Sequence, residues 1–135
     1  NGKYHYHGIP ENYLRNIASE LTEMLLLGYA ADGFPIYYQY GYINSELSLL
    51  NSSYVLKSGN RSGNGIDEPC GTYNGVYTAD YEYIEGFGDL DECNGYEGFT
   101  PEYPNGTYYY VLTVAYPGIP RCFKGIPSQD FRIGN

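Results

Sequence analysis

The sequence contains few of the residues on which several functional classes depend. Its 135 residues include seven Lys and Arg against sixteen Asp and Glu, which gives a formal net charge of −9. This balance argues against a nucleic-acid partner and favours divalent cations or cationic partners. The chain also has no apolar run of transmembrane length and no targeting motif, so we expect no membrane span.

Several catalytic signatures are missing as well. The chain has no glycine-rich phosphate loop, no serine nucleophile elbow and no zinc-ribbon spacing. It has no tryptophan and two histidines, so no other histidine competes with that pair for a metal ion. Carboxylates are so numerous that a glycosidase-like pair could be drawn almost anywhere, and such a pair carries no information. The sequence therefore indicates a kind of protein and a candidate site, but no reaction.

Tyrosine and glycine dominate what is present, with 19 Tyr and 18 Gly. Tyrosine is enriched in strands and on partly wet surfaces, where its ring packs and its hydroxyl reaches a partner. A chain of this length supports one domain with a real core but not two. We therefore predict a mainly β fold, a single antiparallel β-rich domain that is sandwich-like or barrel-like, with one packed amphipathic helix.

The helix is predicted after Pro10, where apolar residues follow helical spacing through Leu25. Alternation and turn residues then predict strands around an Asp32–Gly33 turn, followed by a polar connection and a glycine-rich loop. The predicted strands are 25–30, 34–42, 54–57, 76–84 and 107–115, the polar connection is 44–53, and the loop is 58–74. A proline-punctuated tail should run extended over the surface.

The two histidines, His5 and His7, occupy alternate positions. On an extended strand this spacing places both imidazoles on one face, about 7 Å apart. Two imidazoles with one or two carboxylates suit Zn, Cu or Mn, and the candidate carboxylates are Asp32 in its turn and Asp89 or Asp91 in the acidic loop. The alternative is that both rings are structural and hydrogen-bonded within a polar cluster.

Half of the acidic residues fall between positions 80 and 102, with no Lys or Arg among them. A bound divalent cation, calcium outside the cell, would relieve the repulsion between these carboxylates. The segment does not have the EF-hand pattern. The alternative is a solvated acidic rim that keeps the protein soluble. The residues are Asp80, Glu82, Glu85, Asp89, Asp91, Glu92, Glu97 and Glu102.

Three glycosylation sequons begin at Asn51, Asn60 and Asn105, all in polar, turn-like surroundings. Together they predict N-linked glycans on an extracellular protein, either secreted or at the cell surface. Such a compartment is oxidising, so two of the three cysteines should pair and one should be left over. The chain starts inside a motif rather than at Met, so we expect a processed or truncated part of a longer chain.

With these segments laid out, the chain resembles the YHYH-domain proteins over almost its whole length. The resemblance implies a single domain over 1–135 in an exported protein, and it carries no defined biochemical role. Two stretches depart from the family. The family tends to read Ile-Tyr-Gly-Pro-Tyr-Gly at 36–41, where we predict more strand in place of a turn, and many members carry a second Tyr-His-Tyr-His where this chain has Tyr108-Tyr109-Tyr110-Val111. The matching pieces are Gly2 to Gly8, Gly28 to Tyr37, Asp80 to Tyr83, Gly88 to Gly95, Pro104 to Tyr108 and Arg121 to Gly125.

The resemblance also bears on the cysteines. Cys93 and Cys122 both lie in matching stretches, which implies a disulfide between them and leaves Cys70 as the odd thiol. Pairing of Cys70 with Cys93 stays open, because spacing alone does not decide connectivity.

Two functional hypotheses follow. The first is an extracellular structural or interaction glycoprotein module that self-associates into a homo-oligomer or filament, since a Tyr-rich, β-rich surface with strand edges suits repeated contacts. The second is a metal-dependent (Zn or Cu) hydrolase or redox protein that uses the histidine strand and the acidic loop. We favour the first, because an enzyme should show an interpretable acid, base or nucleophile beyond two histidines.

Overall fold

The computed structural model of the chain describes residues 9–18 and 20–131. One helix, α1, precedes eight strands, and two short 3₁₀ turns occur at Thr78–Asp80 and Gln129–Phe131. The bounds are α1 Glu11–Ile17, β1 Leu25–Tyr29, β2 Pro35–Tyr38, β3 Tyr40–Ile43, β4 Glu46–Leu49, β5 Tyr54–Leu56, β6 Tyr81–Tyr83, β7 Gly95–Gly98 and β8 Thr107–Leu112.

The strands form a four-stranded sheet in the order β1-β2-β8-β7 and two small antiparallel pairs, β3-β4 and β5-β6. The mainly β fold with one helix that we predicted is confirmed. The sheet does not close into a barrel, and its β2–β8 pair is parallel, so the pairing is antiparallel in most places but not throughout. No described helix has the length and apolar character needed to cross a membrane.

Strand β8 lies at the centre of the sheet and is buried on both faces. Tyr109 and Val111 pack with Tyr37 in one apolar cluster, while Tyr108 and Tyr110 pack on the other side. Opposite faces follow from the two-residue period of a strand. A strand buried on both faces reads as a continuous apolar and aromatic run, and that run is why this strand was the clearest in the sequence.

The strand predicted over 34–42 is in fact two strands, which corrects our expectation of continuous strand at 36–41. Gln39 adopts a left-handed conformation, with φ of 37°. The Gln39 N–H donates to the carbonyl of Leu112 at 3.0 Å and so remains attached to the sheet. Beyond Gln39 the chain leaves β2 and enters β3, which pairs with β4 instead.

The β3–β4 hairpin falls where we predicted a polar connection. Its two-residue loop, Asn44–Ser45, has φ of 51° and 69°, and Ile43 pairs with Glu46 across it. Positive φ at both loop residues is the type I′ geometry that matches strand twist. Asn-Gly is the usual signal for this turn, and Ser45 in the place of glycine hid the hairpin.

The helix is shorter than its apolar spacing predicted. It ends at Ile17, and Ala18 is already extended, with φ of −142°. Leu14, Ala18 and Met24 are nonetheless all buried. The periodic pattern therefore identified three buried side chains, but Ile17 of the same stripe is 41% exposed. Leu25 belongs to β1, because pairing with β2 outweighs helix continuation there.

Candidate functional site

The structure brings two of the predicted site residues to one place. Asp32 and Asp91 both bond to tyrosines of β8, and Lys124 from the tail joins them. We call this set, Asp32, Asp91, Tyr108, Tyr110 and Lys124, the tyrosine–carboxylate cluster. His5 and His7 lie outside the described residues, so their predicted role stays a prediction.

Asp32 connects three parts of the chain. It lies in the turn between β1 and β2, which the Gly33 N–H closes onto the carbonyl of Ala30. Its Oδ2 accepts hydrogen bonds from the Tyr110 hydroxyl and from the Gly125 N–H, the latter at 3.0 Å. Its Oδ1 is buried and has no hydrogen-bond partner among the described residues.

Tyr110 extends this connection into the tail, because its hydroxyl oxygen accepts the Lys124 N–H at 2.6 Å. The same phenol thus donates to a carboxylate of the β1–β2 turn and accepts from the tail backbone. Phe34 lies edge-on to both Tyr108 and Tyr110, with ring centres 5.1 and 6.4 Å away. Aromatic edge contacts of this kind fix the orientation of the rings, so the two hydroxyls are held in place.

Asp91 organises the acidic loop around itself. Its Oδ1 accepts the Cys93 N–H at 3.0 Å and the Gly95 N–H at 2.9 Å, an Asx-type turn that leads into β7. The Tyr108 hydroxyl lies 3.1 Å from both carboxylate oxygens, and Lys124 Nζ lies 3.3 Å from Oδ2. The carboxylate is therefore already engaged in holding the loop.

The two tyrosines of the cluster are hydrogen-bond donors, not bases. Burial is the main cause that raises the pKa of Tyr108 and of Tyr110 above the ordinary value, and the carboxylates of Asp91 and Asp32 raise them further. A phenol with a raised pKa stays protonated at physiological pH. The cluster is thus built to position chain segments, and its phenols are poorly suited to abstract a proton.

A disulfide joins Cys93 to Cys122, with the two Cα atoms 4.8 Å apart, as the family resemblance implied. Cys93 is buried, and its carbonyl accepts the Arg121 N–H at 3.2 Å. The tail is therefore fixed beside the cluster by a covalent bond, backbone hydrogen bonds and the Lys124 contact. Cys70 is the remaining thiol and is exposed.

Asp89, the third candidate carboxylate, points elsewhere. Its Oδ2 accepts from the backbone N–H of Asn51 at 2.8 Å and from the Asn51 side-chain amide at 3.1 Å. These bonds attach the connection after β4 to the acidic loop, where Ser53 also donates to the Leu90 carbonyl. The Asp89 carboxylate shares no hydrogen-bond partner with that of Asp32 or Asp91 in the described part of the chain.

The other carboxylates of 80–102 are dispersed as well. Glu102 accepts the Tyr37 hydroxyl at 2.7 Å, and Asp80 pairs with Arg61. Within residues 9–18 and 20–131, no three His, Cys, Asp or Glu side chains group so as to hold a metal ion. The expected calcium site and the histidine metal site both stay predictions.

The buried ion pair of Arg61 and Asp80 is a feature that sequence reasoning missed. Asp80 is fully buried, and its Oδ2 lies 2.6 Å from the Arg61 guanidinium. Asp80 also accepts the Gly75 N–H at 3.0 Å. The hydrogen bond from Arg61 holds the pKa of the Asp80 carboxyl well below its usual range. The available signal was that Asp80 opens one of the family-matching stretches.

Asn94 is a second residue that sequence reasoning missed. It is fully buried, adopts φ of 61°, and donates from its side-chain amide to the Val111 carbonyl at 2.7 Å. Its own carbonyl accepts the Val111 N–H at 3.0 Å. Asn94 thus connects the acidic loop to the central strand. Its sequence signals were the Asn-Gly pair and its place in the family-matching stretch Gly88 to Gly95.

No curated protein and no solved structure matches the chain. The model of the family described as YHYH protein matches residues 1–125, a range that includes Asp32, Asp91 and both disulfide cysteines. Since that match covers most of the 135 residues, the chain belongs to the YHYH protein family.

Proposed function

We propose that this chain is an extracellular interaction module that self-associates into a homo-oligomer or filament. The observation that supports it is an open groove of about 800 Å³ with an exposed apolar rim. Leu49, Phe87 and Val114 line the groove and are 48, 67 and 73% exposed. Apolar side chains grouped around a groove are typical of contact surfaces.

A strand edge lies at the same place. Leu49 ends β4, which pairs only with β3 among the described residues. Backbone groups along an unpaired edge are available to a strand of another molecule. An apolar rim beside a free edge supports a contact made by strand addition and apolar burial together.

The bonding of the tyrosine–carboxylate cluster supports a structural role, and not a catalytic one, for its residues in this proposal. Asp32 and Asp91 accept backbone and tyrosine donors, and the phenols stay protonated. We infer that this cluster holds the tail and the acidic loop in place so that the outer surface is presented in one shape. The disulfide and the exposed sequon residues Asn60 and Asn105, which lie outside the groove, support an extracellular, glycosylated form.

The test is the substitution Leu49→Glu, which places a charge in the rim of a protein that already carries net charge −9. Sedimentation velocity should show the native protein as an oligomer and the variant as a monomer. Ile66→Glu is the matched control, since Ile66 is 87% exposed and lies outside the groove. If Leu49→Glu associates as the native protein does, the groove is not the contact.

A second candidate function is a metal centre, Zn or Cu, with hydrolytic or redox activity. The observation that favours it is the buried Asp32 Oδ1, which has no hydrogen-bond partner among the described residues. A buried carboxylate oxygen without a donor suits a cation. The ligands in this proposal are His5 and His7 with Asp32, and Asp91 lies in the same cluster.

Elemental mass spectrometry separates the two candidates. The metal-centre proposal expects one transition metal per chain in natively purified protein and its loss in the double variant His5→Ala, His7→Ala, with the fold retained by circular dichroism. A metal-free native protein contradicts the metal centre. Unfolding of the double variant would instead assign the histidines to the fold.

A further inference from the structure

A second cavity, of about 420 Å³, lies away from the groove and from the tyrosine–carboxylate cluster. Its lining combines two tyrosine rings, Tyr73 and Tyr77, with two of the chain's seven basic residues, Lys57 and Arg61. A concave site with aromatic walls and a few convergent polar groups is the usual form of a small-ligand site. The lining also holds two carboxylates, Asp80 and Glu68, so its formal charges balance.

Lys57 supplies the positive charge that a ligand in the cavity could contact. Its Nζ lies 5.7 Å from the centre of the Tyr73 ring and donates to the Ala79 carbonyl at 2.9 Å. The ion pairs of the described residues are Arg61 with Asp80 and Lys124 with Asp91, so Lys57 has no carboxylate partner there. An ammonium has three donors, and two of them remain for a ligand.

Arg61 has a structural role in the lining of the cavity, because its guanidinium is already bonded. Its guanidinium donates to Asp80, to the Cys70 carbonyl at 2.8 Å and to Asn74 at 2.6 Å, and lies 4.7 Å from the centre of the Tyr77 ring. The buried Asp80 carboxylate neutralises it. The cavity therefore presents one ammonium, that of Lys57, with no ion pair among the described residues, beside two aromatic rings that lie close to Lys57 and Arg61.

We propose that this cavity binds a sugar that carries a single carboxylate, a hexuronic acid at the end of a saccharide. The carboxylate pairs with Lys57, and the C–H face of the pyranose ring packs on a tyrosine ring. Hydroxyls of the sugar find partners in Ser62 and Thr78, which also line the cavity. Glu68 lines it too, and its charge opposes a second anionic group, which selects singly charged ligands.

The experiment is calorimetric titration of the whole chain with a matched pair of disaccharides. The acidic probe is glucuronic acid linked β-1,4 to glucose, and the neutral probe is cellobiose, so the pair differs in the carboxylate alone. We expect the acidic disaccharide to bind and cellobiose to bind at least about tenfold more weakly, since a hydrogen bond to a charged group is lost.

Three variants sharpen the result. Lys57→Met should weaken binding of the acidic disaccharide about tenfold, and Glu68→Gln should strengthen it, because it removes the opposing charge. Arg15→Met removes the same charge from α1, away from the cavity, and should leave binding unchanged. Equal binding of the two disaccharides, native affinity in Lys57→Met, or no binding of the acidic probe would each overturn the proposal. Because this cavity lies apart from the groove, these outcomes do not depend on the oligomeric state.

Discussion

At the scale of single residues, hydrogen bonds between the β8 tyrosines and half-buried carboxylates join separate parts of the chain. Tyr110→Phe removes the donor to Asp32 Oδ2 and the acceptor of the Lys124 N–H. We expect the free energy of unfolding to fall by about 1–3 kcal/mol, since buried polar groups lose their partners. Urea denaturation measures this. Tyr42→Phe is the control, because the Tyr42 ring stacks on Phe99 and its hydroxyl has no hydrogen bond in the described residues. Equal losses in both variants would contradict this role.

Asp80 makes the fold sensitive to acid. Its folded-state pKa is depressed by Arg61, whereas the unfolded chain binds the proton near the ordinary value of about 3.9. Its contribution is therefore complete at neutral pH and is lost as the pH falls below that value. Asp80→Asn leaves Arg61 without its buried counter-charge. The variant should melt several degrees lower at pH 7, and the difference from the native protein should shrink toward pH 2. A constant difference across that range would contradict the ion-pair account.

Some residues of the tyrosine–carboxylate cluster could be predicted from the sequence and others could not. Asp32 and Asp91 were identified because they sit in a turn and in a dense acidic loop, and both lie in the cluster. Their partners Tyr110 and Lys124 could not be identified, since the contacts between them and the carboxylates span 78 and 33 residues of sequence. Asp89 has the same local signals as Asp91, yet tertiary packing turns it toward Asn51.

At the scale of elements, the loop of the β3–β4 hairpin contains backbone strain at Ser45 that a glycine would relieve. Ser45 holds φ of 69°, a conformation that costs roughly 1–2 kcal/mol for a residue with a Cβ. Ser45→Gly should raise the free energy of unfolding by about 0.5 kcal/mol, because part of that gain is offset by the entropy of glycine. Ser45→Val should lower it. Thermal and chemical denaturation of the pair give the sign, and stabilisation by valine would show that the loop is not type I′.

The Cys93–Cys122 disulfide joins two elements, because it links the tail to the loop that leads into β7. Its cysteines are 29 residues apart, and a loop of that size contributes about 3.6 kcal/mol in the chain-entropy model. The double variant Cys93→Ala, Cys122→Ala should lose that much stability and expose the tail to trypsin at Lys124. Non-reducing peptide mapping should link Cys93 to Cys122 in the native protein. A peptide that links Cys70 to either of them would refute this pairing.

Strands and helices were predicted correctly from the sequence where burial alone determines the hydrophobic pattern. They were predicted wrongly where pairing with a distant strand or charge determines the structure. The strongly apolar run of β8 was located within a few residues, whereas α1 was extended through Leu25, which pairs with β2. The strand expected over 76–84 reduces to Tyr81–Tyr83, because residues 78–80 turn Asp80 into the protein toward Arg61. A charge partner 19 residues upstream is invisible to local periodicity.

At the scale of the whole molecule, the acidic charge and the apolar groove act in opposite directions. A net charge of −9 opposes association between copies at long range, so self-association has to come from short-range apolar contact at Leu49, Phe87 and Val114. Composition alone predicted the mainly β domain. It could not reveal the groove, since these three residues come together from three separate segments.

Sedimentation velocity of the native protein over a series of micromolar concentrations and two ionic strengths tests the central claim most directly. Self-association through the groove predicts a species larger than a monomer whose proportion rises with concentration and with added salt, because salt screens the repulsion between acidic copies. A monomer at every concentration and at both ionic strengths would contradict self-association.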